Sequence, residues 1–298
     1  MPNPTSHSET GLRPPAPPPV SLEDLLAGLH PVIVRCQLSF DRPTPLRPLA
    51  TATARGLLGN ALSAMNPAAV GSTFKPGHQN HLPPPFLLQP LHPREHTATN
   101  LEFNLVAWDA AGTAAAVLLA AFTRTQHHPF GESGSRIQSF EADPVSHLAF
   151  DAGELPADPA RISLLTPLAI KHNKAWIGEH TLTLGHLVGA AARRLNQISL
   201  LHGNGGQLDI PALQAIASLQ RESRRSLRWV SPRRRSTSQG ENLSLSGIVG
   251  FLEFDILPPV IMQLLASLQV YHVGYHTVVG CGLIAIDPVP NPAREHPG

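Results

Sequence analysis

The sequence predicts an α+β chain of two tandem ferredoxin-like units, each a βαββαβ run, with a glycine-rich loop near the C-terminus. Three observations predict it. Apolar residues alternate with a period of two where each half begins, apolar residues at spacings of three and four follow, and the same element order then recurs. Length agrees, since 298 residues suit two domains of about 100 to 200 residues each.

From Pro31 the alternation puts Val32, Val34, Cys36 and Leu38 on one face and Ile33, Arg35, Gln37 and Ser39 on the other, the mark of a strand. A helix over Leu49 to Met65 follows, with Leu57, Leu58, Leu62 and Met65 on one side and Asn66-Pro67 as its stop. After an irregular loop, Gly71 to Pro85, come strand-like Phe86 to Leu91 and Leu101 to Trp108, a small-residue helix around Ala114 to Phe122, and strand-like Arg136 to Phe140.

The second run opens on strand-like Arg161 to Lys171. Leu184, Leu187, Val188, Ala191, Leu195, Ile198 and Leu201 then recur at helical spacing. A further helix spans about Pro211 to Gln220. Strand-like Leu227 to Val230, a basic loop, a long strand from Leu243 to Ile256, a helix from Pro258 to Gln269 and a last strand from Val278 to Ile286 complete it.

The expected organisation is a Pro-rich segment 1–27, a first unit 28–150, a linker 151–160, a second unit 161–287 and a tail 288–298. Both ends have too few bulky apolar residues to offset the entropy of ordering and are expected to be disordered.

Composition excludes several classes. Cys36 and Cys281 are the only cysteines, too few for a disulfide framework or a Cys-based zinc site, and they fit a reducing, cytoplasmic setting. The N-terminus lacks the cationic start and apolar core of a signal peptide. The longest small-apolar run, Ala110 to Phe122, is shorter than the ~20 residues that cross a bilayer.

A formal charge of +1 says nothing by itself about partners, so the distribution matters. Arg221, Arg224, Arg225, Arg228, Arg233, Arg234 and Arg235 crowd one stretch with a single acid, Glu222. Guanidinium groups suit phosphate because the planar fork donates two parallel hydrogen bonds. Trp229 among them offers a ring for base stacking. The alternative is a solvated basic loop. Arg193 and Arg194, expected opposite the apolar stripe of the 184–201 helix, would extend the basic surface.

In the C-terminal turn, Gly274, Gly280 and Gly282 permit positive φ and close backbone approach, so main-chain N–H groups can meet phosphate oxygens. The alternative is a tight turn into the last strand with no ligand. His276 and Thr277 lie inside the turn as phosphate donors.

His92-Pro-Arg-Glu-His96 matches the H-x-x-E-H pattern of certain zinc proteases. Pro90 and Pro93 and the flanking strand-like runs deny it the helix that such a site requires. His127-His128-Pro129 reads as a loop.

Gly247-Ile-Val-Gly250 opening a long strand, a helix, then His272 to Ile286 with its glycine-rich turn, resembles the C-terminal half of CRISPR-associated precursor-crRNA-processing endoribonucleases of the RAMP superfamily. Arg55 to Gly59 in the first helix, Gly131 to Phe140, and Arg161 to Leu168 fall in the matching order, so the similarity spans roughly residues 28 to 287. The resemblance implies two RRM-like domains side by side gripping a repeat hairpin, with crRNA and other Cas effector subunits as partners and no cofactor. It implies metal-independent cleavage, in which a 2'-hydroxyl attacks the scissile phosphate and leaves a 2',3'-cyclic phosphate and a 5'-hydroxyl. A non-catalytic RAMP subunit that clamps crRNA is the alternative.

In that family the catalytic histidine lies on the first helix or in the loop behind it, facing the glycine-rich turn. The first helix here has no histidine, whereas the loop holds Lys75, His78 and His81. The resemblance therefore implies His78 or His81 as general base or acid and Lys75 as a phosphate contact. Tyr271, Tyr275 and His276 are further proton carriers, and Arg55 a further phosphate contact. Relatives often have lysine near His276.

Overall fold

The structure, a computed structural model, describes residues 18–68, 70, 83–108, 113–131, 133–145, 160–235 and 242–289. Strand β1 (Val32–Leu46) is followed by helix α2 (Thr51–Met65), β2 (Phe86–Pro90), β3 (His96–Ala107), α3 (Thr113–Thr123), the short β4 (Pro129–Phe130) and β5 (Ser135–Pro144). Before them lies α1 (Leu22–Ala27). The second half comprises β6 (Ala160–Leu168), the hairpin β7 (Lys171–His172) and β8 (Ala175–Trp176), α4 (Leu184–His202) and α5 (Ile210–Ser218). It continues with β9 (Glu222–Val230), β10 (Arg233–Arg235), β11 (Asn242–Ser244), β12 (Gly247–Phe254), α6 (Pro259–Tyr271) and β13 (Ile284–Pro288).

The first sheet runs β2-β3-β1-β5-β4 and the second β13-β6-β12-β9. Counting the main strands of each half in chain order, both place the first and third in the centre, the second and fourth at the flanks, all antiparallel. That is the ferredoxin-like order, present twice.

Alternation along β1 sends Val34, Cys36, Leu38 and Phe40 into a core with Leu58 and Leu62 of α2 and Leu118 and Phe122 of α3. In the second half Ile162 and Leu164 of β6, Ile248 and Leu252 of β12 and Ile284 and Ile286 of β13 pack under α4 and α6. Ile33, Leu87, Val106 and Trp108, from the other face of the first sheet and its end, join this second core. Gln89 donates to the Gln269 carbonyl at 2.7 Å along the same contact. The halves thus share apolar surface.

Several expectations shift. The segment expected to be unstructured up to residue 27 contains α1, capped by Ser21 accepting from the Asp24 N–H, because Leu22, Leu25 and Leu29 find the second core. The last strand begins at Ile284, and Thr277–Val279 instead form one turn of 3-10 helix. The long strand expected over Leu243 to Ile256 is two, β11 and β12. β9 begins at Glu222, ahead of the strand expected over Leu227 to Val230, so Arg224 and Arg225 join Arg228 in a strand at the sheet edge, and the basic loop expected after it contains β10. Residues 91–95 are non-helical, so His92-Pro-Arg-Glu-His96 forms no helix. Among the described residues no helix is long and apolar enough to cross a membrane.

Candidate functional site

The turn from His272 to Gly282 is wedged into the seam between the halves. Three of its glycines have positive φ, 87° at Gly274, 95° at Gly280 and 72° at Gly282. A Cβ on Gly282 would overlap the Val273 carbonyl oxygen, one on Gly274 would stand 2.5 Å from the Ala169 oxygen, and one on Gly280 2.6 Å from Pro90 of β2. Side chains are excluded there by backbone conformation and by contact together. Two buried threonines, one from each half, clamp the same turn. Thr51 of α2 donates to the Val279 carbonyl at 2.7 Å and Thr166 of β6 to the Gly280 carbonyl at 2.8 Å.

The turn also uses most of its own amides. The N–H groups of Val273, Tyr275, Val279, Gly280, Cys281 and Gly282 all donate within the protein. Gly280, Gly282 and Thr277 are buried. What the turn presents outward is Tyr275, exposed, with His276, Gly274 and Val278 partly so.

His276 sits in the left-handed region, φ 60°. Burial holds its pKa below the ordinary histidine value, and the positive charge of Arg55, on α2, lowers it further. A half-buried imidazole, neutral at pH 7, beside a guanidinium from the other half is equipped to accept a proton next to a cation that stabilises an anion. Its neighbours are unlike it. Tyr271 is 1% exposed with its hydroxyl pKa pushed up by burial. His272, fully buried with Nδ1 hydrogen-bonded to the Cys281 carbonyl at 3.0 Å, is pushed down to about 3, chiefly by burial. Neither reaches solvent.

The other sequence-predicted residues are distributed unevenly. Lys75, His78 and His81 lie outside the described residues. Arg193 is exposed on α4, near enough to His186 to lower its pKa. Arg194, expected on the polar side of that helix, is buried. Its Nε donates to the Tyr271 carbonyl at 3.4 Å and its guanidinium lies 5.3 Å from the Trp108 ring centroid. Its helical position faces the seam, where the first half supplies an aromatic cover.

On β9, register against β12 sorts the arginines. Arg225 lies opposite Leu252, on the helix-covered face, and its guanidinium is held by Glu222. Trp229 opposes buried Ile248 on that same face and is 37% exposed. Arg224 and Arg228 oppose Glu253 and Val249 on the open face. There Arg224 lies 5.5 Å from the Phe251 ring centroid, and Arg161, paired with Glu253, lies on the same ring at 4.3 Å. Arg221 is exposed just before the strand. Arg233, Arg234 and Arg235 form β10, paired with β11. The hairpin leads into Leu245, buried against Val279 of the turn, Leu49 and Ala52. The fold therefore brings the root of the Arg233–Arg235 hairpin, His276 and Arg55 to one end of the second sheet.

Sequence reasoning missed Thr51 and Thr166, whose role exists only through partners far away in the chain. It also missed Lys171 and Trp176, because β7 and β8 are too short for a periodic signal. The hairpin turns at Asn173 and Lys174, both with positive φ, and Asn173, a residue that tolerates that region, was its one sign in the sequence.

Known proteins place this arrangement. The sequence model of the family described as CRISPR-associated endoribonuclease Cas6 matches residues 162–284. No curated protein sequence matches the chain. Among solved structures, a Cas6 product complex aligns over 86% of this chain and 99% of its own, at 20% identity and a TM-score of 0.56. Thermus thermophilus Cas6 aligns over 87% and 99%, at 19% identity and 0.51. A partial Cas6-RT-Cas1–Cas2 complex aligns over 87% of this chain and 46% of its own, at 13% identity and 0.54. Identities this low establish the fold. The resemblance seen in the glycine-rich turn therefore stands: the second half carries the sequence pattern of the CRISPR-associated endoribonuclease Cas6 family, on a fold that both halves share with Cas6 structures.

Proposed function

We propose that the chain is an endoribonuclease that binds CRISPR repeat RNA and cleaves precursor crRNA without a metal, keeping company with other Cas subunits. The observation that carries the proposal is the glycine-rich turn itself, which lies within the family match and is clamped at the seam by Thr51 and Thr166, with Arg55 close enough to His276 to lower its pKa. Neutral His276 takes the proton of the 2'-hydroxyl as its oxygen attacks phosphorus. Arg55 balances the charge that accumulates on the phosphorane oxygens. The bond from phosphorus to the 5'-oxygen breaks, and that oxygen needs a proton from a second carrier, for which His78 or His81 is the proposal, with Lys75 as an added phosphate contact. The products are a 2',3'-cyclic phosphate and a 5'-hydroxyl.

Binding is assigned to Arg224 and Arg228 on the open sheet face, Arg193 on α4 and the hairpin that holds Arg233, Arg234 and Arg235. The glycines of the turn serve by position. With so many of their amides engaged internally, they shape the seam and leave phosphate contact to side chains. The test is incubation of the protein with a repeat RNA hairpin in excess EDTA, followed by end analysis. Cyclic phosphate ends are expected. RNA that is shifted on a native gel and stays intact would replace the nuclease by a crRNA-binding RAMP subunit.

A further inference from the structure

We propose that Trp176, Tyr275 and Lys171 form a platform that stacks one unpaired RNA nucleobase beside the reacting phosphate. The proposal rests on the reading of His276 as part of an RNA-cleaving site, and deepens it by naming what lies next to that site.

The two rings come from separate elements and meet in solvent. Trp176 ends the β7–β8 hairpin and is 51% exposed, while Tyr275 belongs to the glycine-rich turn and is 46% exposed. Their centroids are 4.9 Å apart with planes at 70°, an edge-to-face pair. Lys171, directly across the hairpin from Trp176, places its Nζ 4.4 Å from the Trp176 centroid and 5.3 Å from that of Tyr275. Tyr275 immediately precedes His276, and their ring centroids are 6.5 Å apart.

Each anchor is rigid. The Ile177 N–H donates to the Ile170 carbonyl at 3.0 Å to close the hairpin, and both isoleucines are buried. The Tyr275 N–H donates to the Ala169 carbonyl at 2.9 Å. Burying either ring would remove a large apolar area from water, yet the fold holds both outside, paired and carrying a cation. Stacking on a nucleobase meets all three properties. A base has a π-face that accepts either ring, its own phosphate takes the lysine charge, and a single unpaired base fits a platform of two rings. The span from Tyr275 to His276 puts the phosphate of the stacked nucleotide, or of its neighbour, at the imidazole.

Stacking of this kind tolerates any base, so the test does not need the natural repeat sequence. The probe is a synthetic RNA hairpin with unpaired flanks, made as a set in which one flank position at a time is abasic, bound to the full chain. Trp176→Ala and Tyr275→Ala, both at exposed positions, should keep the melting temperature. Each should weaken binding about 5- to 100-fold, and Trp176→Phe should restore most of the affinity. One abasic position should weaken wild-type binding to a similar degree and add little on top of Trp176→Ala. Wild-type binding that both alanine variants retain in full overturns the platform alone. A wild-type chain that binds none of the hairpins overturns the RNA-cleavage reading and the platform with it.

Discussion

The two halves share one strand order and differ in what their open sheet faces display. On the first sheet, Arg35, Gln37 and Ser39 of β1 lie beside Asn100, Glu102 and Asn104 of β3 and Glu141 and Asp143 of β5. There Arg35 is neutralised, since it pairs with Glu102 at 2.8 Å. On the second sheet, Arg161, Arg224 and Arg228 share the face with Phe251, and of these Arg161 is paired with Glu253. Repetition of a topology thus fixes a scaffold twice, while the chemistry suited to a polyanion is concentrated on one copy. The first half meets the turn through Thr51 of α2 and Pro90 of β2, and Arg55 of α2 lowers the pKa of His276.

The sharpest way to break this division is at the seam. Replacing His276 with Ala should lower the cleavage rate about 10²- to 10⁴-fold, the usual worth of a positioned acid or base, with RNA binding retained on a native gel. An unchanged rate would move catalysis away from the turn altogether.

The next effect is on the faces. Arg224→Ala with Arg228→Ala should weaken RNA binding and reduce the slope of log affinity against log salt by about 0.7 to 0.9 for each phosphate that the protein no longer neutralises. Arg35→Ala on the first sheet should leave both affinity and slope where they were. Equal weakening from the two sheets, in titrations at several salt concentrations, would erase the contrast between the halves.

A pH profile of single-turnover cleavage refines the role of Arg55. In the proposed reaction His276 acts as a base in its neutral form, and its folded pKa lies below the ordinary 6.5. The acid limb of the rate should therefore lie at lower pH than an ordinary histidine base would give. Arg55→Met removes the neighbouring charge, so the acid limb should move to higher pH. The shift should be partial, because burial is the larger cause of the depression.

The smallest effect compares the two clamps. Thr51→Val and Thr166→Val each leave a buried carbonyl of the turn without its hydroxyl donor, at a cost of about 1 to 3 kcal/mol in denaturant unfolding. Thr166→Val should cost more, because its hydroxyl oxygen also accepts from the Leu283 N–H at 2.9 Å.

Much of the scaffold was legible in the chain. Period-two alternation in Val32 to Leu38 and the spacing of Leu184 to Leu201 reported strand and helix because each pattern reflects contacts within a few residues. The glycines of the turn were legible as a demand for positive φ, although what demands it, the oxygens of Val273 and Ala169 and the ring of Pro90, was not. The arginine run was visible as charge and Leu227 to Val230 as a strand, yet the extension of that strand back through Arg224 and Arg225 was hidden by the lack of apolar residues there. Arg194 was misplaced for a related reason: a buried arginine needs an aromatic and a carbonyl from distant segments, and helical spacing carries no record of them.

By itself, then, the sequence determined the element order, its repetition and the residues able to bind phosphate or move protons, all of which follow from local spacing and side-chain chemistry. The tertiary structure alone decided which of them meet. Thr51 reaches Val279 across 228 residues, Arg55 lowers the pKa of His276, and Trp176 finds Tyr275, because shared apolar burial of Ile33, Leu87, Val106 and Trp108 docks one half on the other. Such meetings arise from the summed fit of two surfaces, and no short window of residues encodes that fit.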